Sequence, residues 1–523
     1  MKLPLTPAWR ARILAVAAGV GAGLAHPPVG LIIGVAAYGL LMWLAETDGP
    51  RPLRSAFFRG WLAGVGYFAV GTHWITEPFM VDAANQGWMA PIALLAMSGG
   101  LALFWGLAAL IYRLADVKGA WRVLVFAGAL AFCEWLRGHV LTGFPWNLPG
   151  EAWRAGSAPS QMASVVGAYG LSWITIALGA TTALLWKPGR IRLAASAAIV
   201  AALAGLYGFG ALRLANAKAA AADAPMVRLV QANIDQKDKW KPENLDMVFS
   251  TYVDLTTQAS PVRPDIVIWP EGALPAVIDD LLAPGSPYVD RLTDALAPGQ
   301  TLMMGANRAG PGAEGGVDYF NSLVVLRREA PGLRVTGVYD KHRLVPFGEF
   351  LPLGDLATRL GIRSLVHMPE DFTAGPPPRP IHPQGVPSLQ PLICYEALFP
   401  GFATAAANRG GGRAQWLLNV SNDAWFGASS GPWQHLNIAA YRAIEEGLPI
   451  ARATPTGVST MIDAYGGPIL GARLTLGEQG IIDVRLPPAL ARTVYSRFGD
   501  GGLAIMLLLS ASIAVTGRIR RAH

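Results

Sequence analysis

The sequence predicts two architectures in one chain: a bundle of eight membrane-spanning helices and, between the last two of them, a layered α/β domain. Hydrophobic residues make up 52% of the 523 residues and charged ones 15%, with a mean hydropathy of +0.35. Soluble enzymes of this size rarely reach such values. The long apolar runs are confined to residues 13–213 and 502–517, and the stretch between them has ordinary globular composition. Within that stretch short β-branched runs alternate with amphipathic ones, the signature of strands alternating with helices.

About 20 residues are needed to cross a bilayer as a helix. By that measure the candidate spans lie near residues 12–26, 29–45, 58–76, 90–112, 122–140, 161–186, 192–213 and 500–517. The first run also reads as a cleaved signal segment, because Arg10 and Arg12 precede a short apolar stretch. His26-Pro27-Pro28 leads straight into the second run, however, which favours a hairpin of two retained helices. Glycines recur in the runs, for example Gly99, Gly100 and Gly106, and permit close helix packing.

Cations stay on the cytoplasmic side of a membrane. Arg51, Arg54 and Arg59, then Arg113, Lys118 and Arg122, then Lys187, Arg190 and Arg192, and finally Arg518, Arg520 and Arg521 gather at alternate ends of the runs. With eight crossings this puts both termini in the cytoplasm and residues 214–499 outside. The net charge of +7 and pI near 9.4 are therefore a topology signal rather than a nucleic-acid footprint. The domain organisation expected is 1–213 as membrane helices, 214–499 as the external domain, and 500–523 as the last helix with a cytoplasmic tail.

In the external domain, strands are expected at Val227–Ile234, Asp265–Trp269, Thr301–Gly305, Ser322–Arg327, Arg334–Tyr339, Leu389–Cys394, Gln415–Val420, Pro449–Ala453 and Ser459–Asp463. Helices are expected at Glu243–Gln258, Tyr288–Leu296, Phe399–Asn408 and Pro432–Glu446. Near-continuous apolar strands point to sheets buried on both faces. Three chemistry-bearing residues stand at strand ends, where side chains of an α/β sheet converge on a cleft. Glu271 follows Ile266-Val267-Ile268-Trp269-Pro270, Lys341 follows Val338-Tyr339-Asp340, and Cys394 follows Leu392-Ile393. Each has a plain alternative when taken singly: a turn carboxylate, a solvated cation beside Asp340, a small buried hydrophobe.

Together with their neighbours they are more specific. Trp269-Pro270-Glu271, the run Tyr339 to Glu349, Ile393-Cys394-Tyr395-Glu396 and the run Asn419 to Gly427 resemble the Glu-Lys-Cys blocks of the nitrilase superfamily. With the flanking membrane runs, including Glu134 to Gly138 and Thr142 to Trp146, the whole chain resembles the apolipoprotein N-acyltransferase family of bacterial inner membranes. That resemblance implies an α-β-β-α sandwich on the periplasmic face bearing the triad Glu271, Lys341 and Cys394. It also implies transfer of an acyl chain from a membrane phospholipid to the α-amino group of the diacylglyceryl-cysteine of an apolipoprotein.

A thiol is mostly protonated near neutral pH, so a carboxylate must take its proton as it attacks an ester. Glu271 suits that role; Lys341 and the amide of Tyr395 suit stabilisation of the oxyanion. Glu349 is expected to orient Lys341 or Glu271, or to cap its loop. Glu396 either tunes Cys394 or binds turn amides, and His342 and His435 are poor candidates for a Cys-His pair. Phe347, Phe350, Leu351, Leu353, Leu356 and Leu360 form one apolar stretch, and Trp425, Phe426 and Trp433 another. Both are core candidates or lipid guides; as guides, Phe347, Trp425, Phe426 and Trp433 lead acyl chains to Cys394.

Two other functions fit parts of the sequence: a membrane-anchored amidase, and a transporter or receptor with a binding domain outside. Acyl transfer is favoured because membrane helices around a thioester site serve no soluble amide. No phosphate-binding glycine loop follows a strand, so nucleotide binding has no support. No metal site or cofactor is expected, and the protein is expected to act as a monomer. Cys133 falls in a membrane run and Cys394 in the external domain, so they are not partners.

Overall fold

A computed structural model describes residues 6–47, 51–312, 316–352, 354 and 371–522. The chain forms two compact units, one of residues 1–217, 426–445 and 492–523, the other of residues 218–425 and 446–491. Leu353, Leu356 and Leu360, part of the first apolar stretch, lie outside the described residues.

The first unit is helical, and it corrects the expected count of spans. Among the described residues four helices are long and apolar enough to cross a membrane: Ala83–Ala115, Pro159–Trp186, Arg190–Leu214 and Gly501–Ile519. The other four runs fail for identifiable reasons. Pro7–Gly23 stops at 17 residues, where Leu24 and His26 enter a turn, and Ile32–Glu46 is also too short. Pro52–Gly71 has the length, but Arg54, Arg59 and a high share of Gly and aromatic residues dilute its hydropathy. Arg122–His139 carries Arg122, Glu134 and Arg137. Apolar runs of this kind are also what helices packed inside a helical bundle require, and sequence hydropathy does not separate the two.

Helix packing in this unit is close. A Cβ on Gly64 would stand 2.8 Å from the Cα of Ala102, so helix Pro52–Gly71 approaches helix Ala90–Ala115 backbone to backbone. Glu134 and Arg137 form an ion pair in the interior, and Trp105 Nε1 donates to Glu134 at 2.7 Å. They bind this bundle together instead of facing its surface.

The second unit is built on two sheets. The first has β1 (Met226–Gln231), β2 (Ile266–Trp269), β3 (Thr301–Pro311), β4 (Val317–Arg328) and β5 (Leu333–Asp340) side by side, with β11 (Gly480–Arg485) antiparallel to β1 at the far edge. The second runs β10 (Pro468–Leu474), β9 (Ser459–Ile462), β8 (Ile450–Ala453), β7 (Trp416–Val420), β6 (Leu389–Ile393). β1, β2 and β3 are parallel, as are β6, β7 and β8.

Alternate residues of the strands point to opposite faces, and the burial follows that rule. Val227, Leu229, Ile266, Ile268, Met303 and Leu323 meet Leu389, Ile393, Trp416, Leu418, Val420 and Met461 in a core between the sheets. Val230, Val267, Trp269, Leu302 and Met304 face the other way, against Val248, Phe249, Tyr252 and Leu255 of helix Leu245–Thr257 and Leu292 of helix Pro287–Ala295. Both faces of these strands are dry, which explains their unbroken apolar sequence. β10 and β11 had no counterpart among the expected strands, because β10 is mostly exposed and β11 mostly half-exposed, and both lack that signal.

Candidate active site

β2, β5 and β6 end at the same edge of the layered unit, and each hands one polar residue to it. Glu271 follows β2 across Pro270, Lys341 follows β5, and Cys394 opens the single 3-10 turn Cys394–Leu398 after β6. Gly305 of β3 lets the first of these come close: a Cβ there would lie 2.4 Å from the Cα of Glu271. Gly305→Ala is therefore expected to displace Glu271 and lower the activity of the site at least tenfold, measurable as the rate of turnover.

Lys341 is buried, and its ammonium donates to Glu271 Oε1 at 3.0 Å and to Glu349 Oε1 at 2.9 Å. Burial lowers its pKa, but the charges of Glu271 and Glu349 more than reverse this and hold it above the ordinary value. Burial likewise raises the pKa of Glu271, yet the Lys341 charge and three hydrogen bonds hold it below the usual carboxylate value. Those bonds come from Asn321 Nδ2 at 2.7 Å, from Lys341, and from the Asn422 N–H at 2.6 Å. Asn321 Nδ2 also donates to Glu349 Oε1 at 2.7 Å, so one amide ties the two carboxylates together.

Cys394 is half-buried and adopts φ 46°, a left-handed conformation that a residue with a Cβ rarely takes. Such a conformation costs on the order of 1–3 kcal/mol and is concentrated at functional sites. Burial pushes the thiol pKa up, as does Glu271, while Lys341 and a hydrogen bond with the Ser421 side chain pull it down; the net direction is up. Ser421 Oγ also donates to Asp423 Oδ1 at 2.7 Å, and Asp423 is paired to the buried Arg452 at 2.5 Å. The resting site thus holds a neutral thiol, an ionised carboxylate and a fixed ammonium.

Two flanking carboxylates are structural fasteners. Glu349 Oε2 accepts from the Val345 N–H at 2.8 Å, which closes its own loop around Lys341. Glu396 Oε1 accepts from Tyr339 Oη at 2.9 Å and from the His342 and Arg343 N–H groups at 2.8 and 3.2 Å; Oε2 accepts from the Ile393 N–H at 2.9 Å. One side chain therefore locks the strand end bearing Lys341 to the one bearing Cys394. Burial raises its pKa to about 7 against the pull of these bonds. Tyr395 is buried with its ring against Phe399 at 5.2 Å, which leaves its backbone beside Cys394 as the relevant feature.

The aromatic residues divide. Phe347, 54% exposed, and Trp425, 43% exposed, belong to the layered unit. Phe426 and Trp433 belong to the helical unit, where Phe426 meets Trp74, Trp146 and His435 edge to face. His342 bonds Gly375 O through Nδ1 at 2.9 Å. Among the described residues there is no cluster of His, Cys, Asp or Glu that would hold a metal ion.

Asn321, Asn422 and Ser421 had not been singled out. Asn321 and its neighbour Ser322 are both buried polar residues of β4, a strand that also carries Asp318, Arg327 and Arg328, so its sequence does not mark Asn321. Asn422 and Ser421 lay within a quoted motif, but no spacing rule reveals that an amide or hydroxyl there reaches Glu271 or Cys394.

Residues 226–495 match the carbon-nitrogen hydrolase family, which places the layered unit in the nitrilase superfamily. Residues 18–181 match the apolipoprotein N-acyltransferase N-terminal domain. A protein of Caulobacter vibrioides named apolipoprotein N-acyltransferase is 52% identical, over 98% of this chain and 95% of its own length. Its namesake in Bradyrhizobium diazoefficiens is 37% identical, over 99% and 97%. An amidase from Nesterenkonia is similar in solved structure at 23% identity, covering 51% of this chain and 92% of its own, with a TM-score of 0.34. The chain belongs to the apolipoprotein N-acyltransferase family. It is a bacterial multi-pass membrane acyltransferase of lipoprotein biosynthesis.

Proposed function

We propose that the acyl donor is a membrane phospholipid, the acceptor is the α-amino group of a diacylated apolipoprotein, and Cys394 carries the chain between them. The carrying observation is the buried Glu271–Lys341–Glu349 charge cluster set against a strained, half-buried cysteine at adjoining strand ends.

Glu271 takes the thiol proton as Sγ attacks the ester carbonyl. Lys341 and the Tyr395 N–H receive the oxyanion, and loss of one such donor typically costs about 3 kcal/mol. The C–O bond breaks, the proton passes to the departing alkoxide, and a lysophospholipid leaves. The acceptor amine then attacks the thioester, Glu271 accepts its proton, the S–C bond breaks, and the thiolate is reprotonated. This is ping-pong chemistry. Glu349 and Glu396 position Lys341 and Cys394 without touching substrate, and Phe347, Trp425, Phe426 and Trp433 guide lipid.

Charge supports placing residues 214–499 in the periplasm and both termini in the cytoplasm. Lys187, Arg190 and Arg192 stand at the far end of span Arg190–Leu214, and Arg518, Arg520 and Arg521 at the far end of Gly501–Ile519. The near ends carry fewer cations, Arg213 and Lys218 at the first span and Arg497 beside Asp500 at the second. The protein is proposed to act as a monomer, without metal or cofactor.

Intact-mass analysis tests the mechanism. Incubation with phospholipid vesicles is expected to add one acyl chain, to fail in Cys394→Ala, and to reverse on adding a diacylated lipopeptide. Spontaneous discharge by water alone, with no transfer to the lipopeptide amine, would identify an amidase-like hydrolase instead. Serine at both Phe347 and Trp425 is expected to slow acylation from vesicles severalfold; an unchanged rate rejects their role as guides.

A further inference from the structure

One buried cation of the layered unit has no ion pair. Lys239 ends the short helix Gln236–Lys239 in the connection after β1. β1 and β2 are parallel neighbours, so this connection shares the sheet edge with Glu271. The side chain of Lys239 is 2% exposed, and its Nζ has no hydrogen-bond partner. A Cβ on Gly272 would stand 3.8 Å from that Nζ, which sets the ammonium against the turn that carries Glu271. The Trp240 ring, 5.3 Å from centroid to Nζ, supplies no acceptor.

Gln236 lies one turn earlier, on the same side of the helix. It is 9% exposed, and neither Nε2 nor Oε1 has a partner. Two adjacent polar side chains, each more than nine-tenths buried and both unsatisfied, are expensive: an unmet buried group costs about 1–3 kcal/mol, more for a charge. Burial pushes the Lys239 pKa down to about 8, with Glu271 opposing. Lys341 is the cation that contacts Glu271 directly, and Lys239 bonds to no carboxylate, so its ammonium is left without an acceptor at the edge where substrate must arrive.

A phospholipid ester carries its own anion, a phosphodiester one glycerol unit from the carbonyl. We propose that Lys239, assisted by Gln236, receives this phosphodiester and so seats the donor ester over Cys394. The proposal rests on the phospholipid-donor reading above.

Acyl-enzyme formation by Lys239→Met should be followed with two donors, phosphatidylglycerol in vesicles and the phosphate-free ester p-nitrophenyl palmitate. The ratio of kcat/KM for the two is expected to fall about 10- to 100-fold, the weight of a charge-assisted hydrogen bond, with most of the loss in the KM for phospholipid. Lys239→Arg should recover part of it, and Gln236→Leu should shift the ratio the same way by less. Equal losses with both donors would mean that Lys239 acts on Glu271 or on the fold, and would overturn the proposal while the donor reading stands. No loss with either donor would overturn it too. If the wild-type protein is acylated by the p-nitrophenyl ester but by no phospholipid, the donor reading itself falls and takes the subsite with it.

Discussion

Replacing Glu271 by glutamine is expected to lower the rate of acyl-enzyme formation about 10³- to 10⁴-fold, near the upper end for loss of a general base, while the protein remains folded. The amide keeps the size of the carboxylate, and Lys341 retains Glu349 as its counter-ion. The resting site explains why the loss is so large. Burial and Glu271 hold the thiol protonated, so the nucleophile forms only as the proton leaves. With Glu271 kept ionised below the usual carboxylate range and the thiol kept neutral above its own, wild-type acylation is expected to be flat from about pH 5 to 7, below the range in which Lys239 loses its charge. A rate rising through that interval would instead indicate a preformed thiolate. Stability follows the same group with a definite sign. Its folded pKa is depressed, so its contribution is present above about 4.5 and is lost as the pH falls through the folded value.

How much of this was legible in the sequence depends on whether the feature is local. Glu271 and Cys394 each end a buried apolar strand and Lys341 a mixed one, and strand ends can be read from a few consecutive residues. Their meeting could not, because it depends on β2 and β5 lying in one sheet and β6 in the other. The same holds for Asn321, which is 50 residues from Glu271 in sequence and 2.7 Å from it in space. Glu396 shows the difference well: the sequence left two roles open, and four hydrogen bonds to two strand ends decide for the clamp. Removing it as Glu396→Ala would strand three backbone N–H groups, and a clear drop in melting temperature is expected. The span count failed for another reason. Apolar composition reports burial, whereas crossing a membrane also requires unbroken length and few charges, which Ile32–Glu46 and Arg122–His139 lack.

Lys341→Met is expected to have the second large effect, on stability as much as on rate. In the wild-type protein one ammonium offsets two buried carboxylates. Removing one partner from a buried ion pair typically costs about 3–5 kcal/mol, and here two like charges bridged by Asn321 would be left facing each other. One of them must take up a proton, so its pKa in the folded state rises above its unfolded value. The pH dependence contributed by this cluster then reverses. Instead of being lost on acidification, stability in the variant is greatest below about pH 4.5 and falls as the pH rises through the elevated value. Melting temperatures at pH 5 and pH 8 distinguish the cases: Glu396, with its raised pKa, affects both proteins alike, so Lys341→Met should lose more on going to pH 8 than the wild-type protein does. Should the variant lose no more than the wild-type protein, the two carboxylates have found another cation, and Lys239, buried near Glu271 and unpaired, is the group to substitute next.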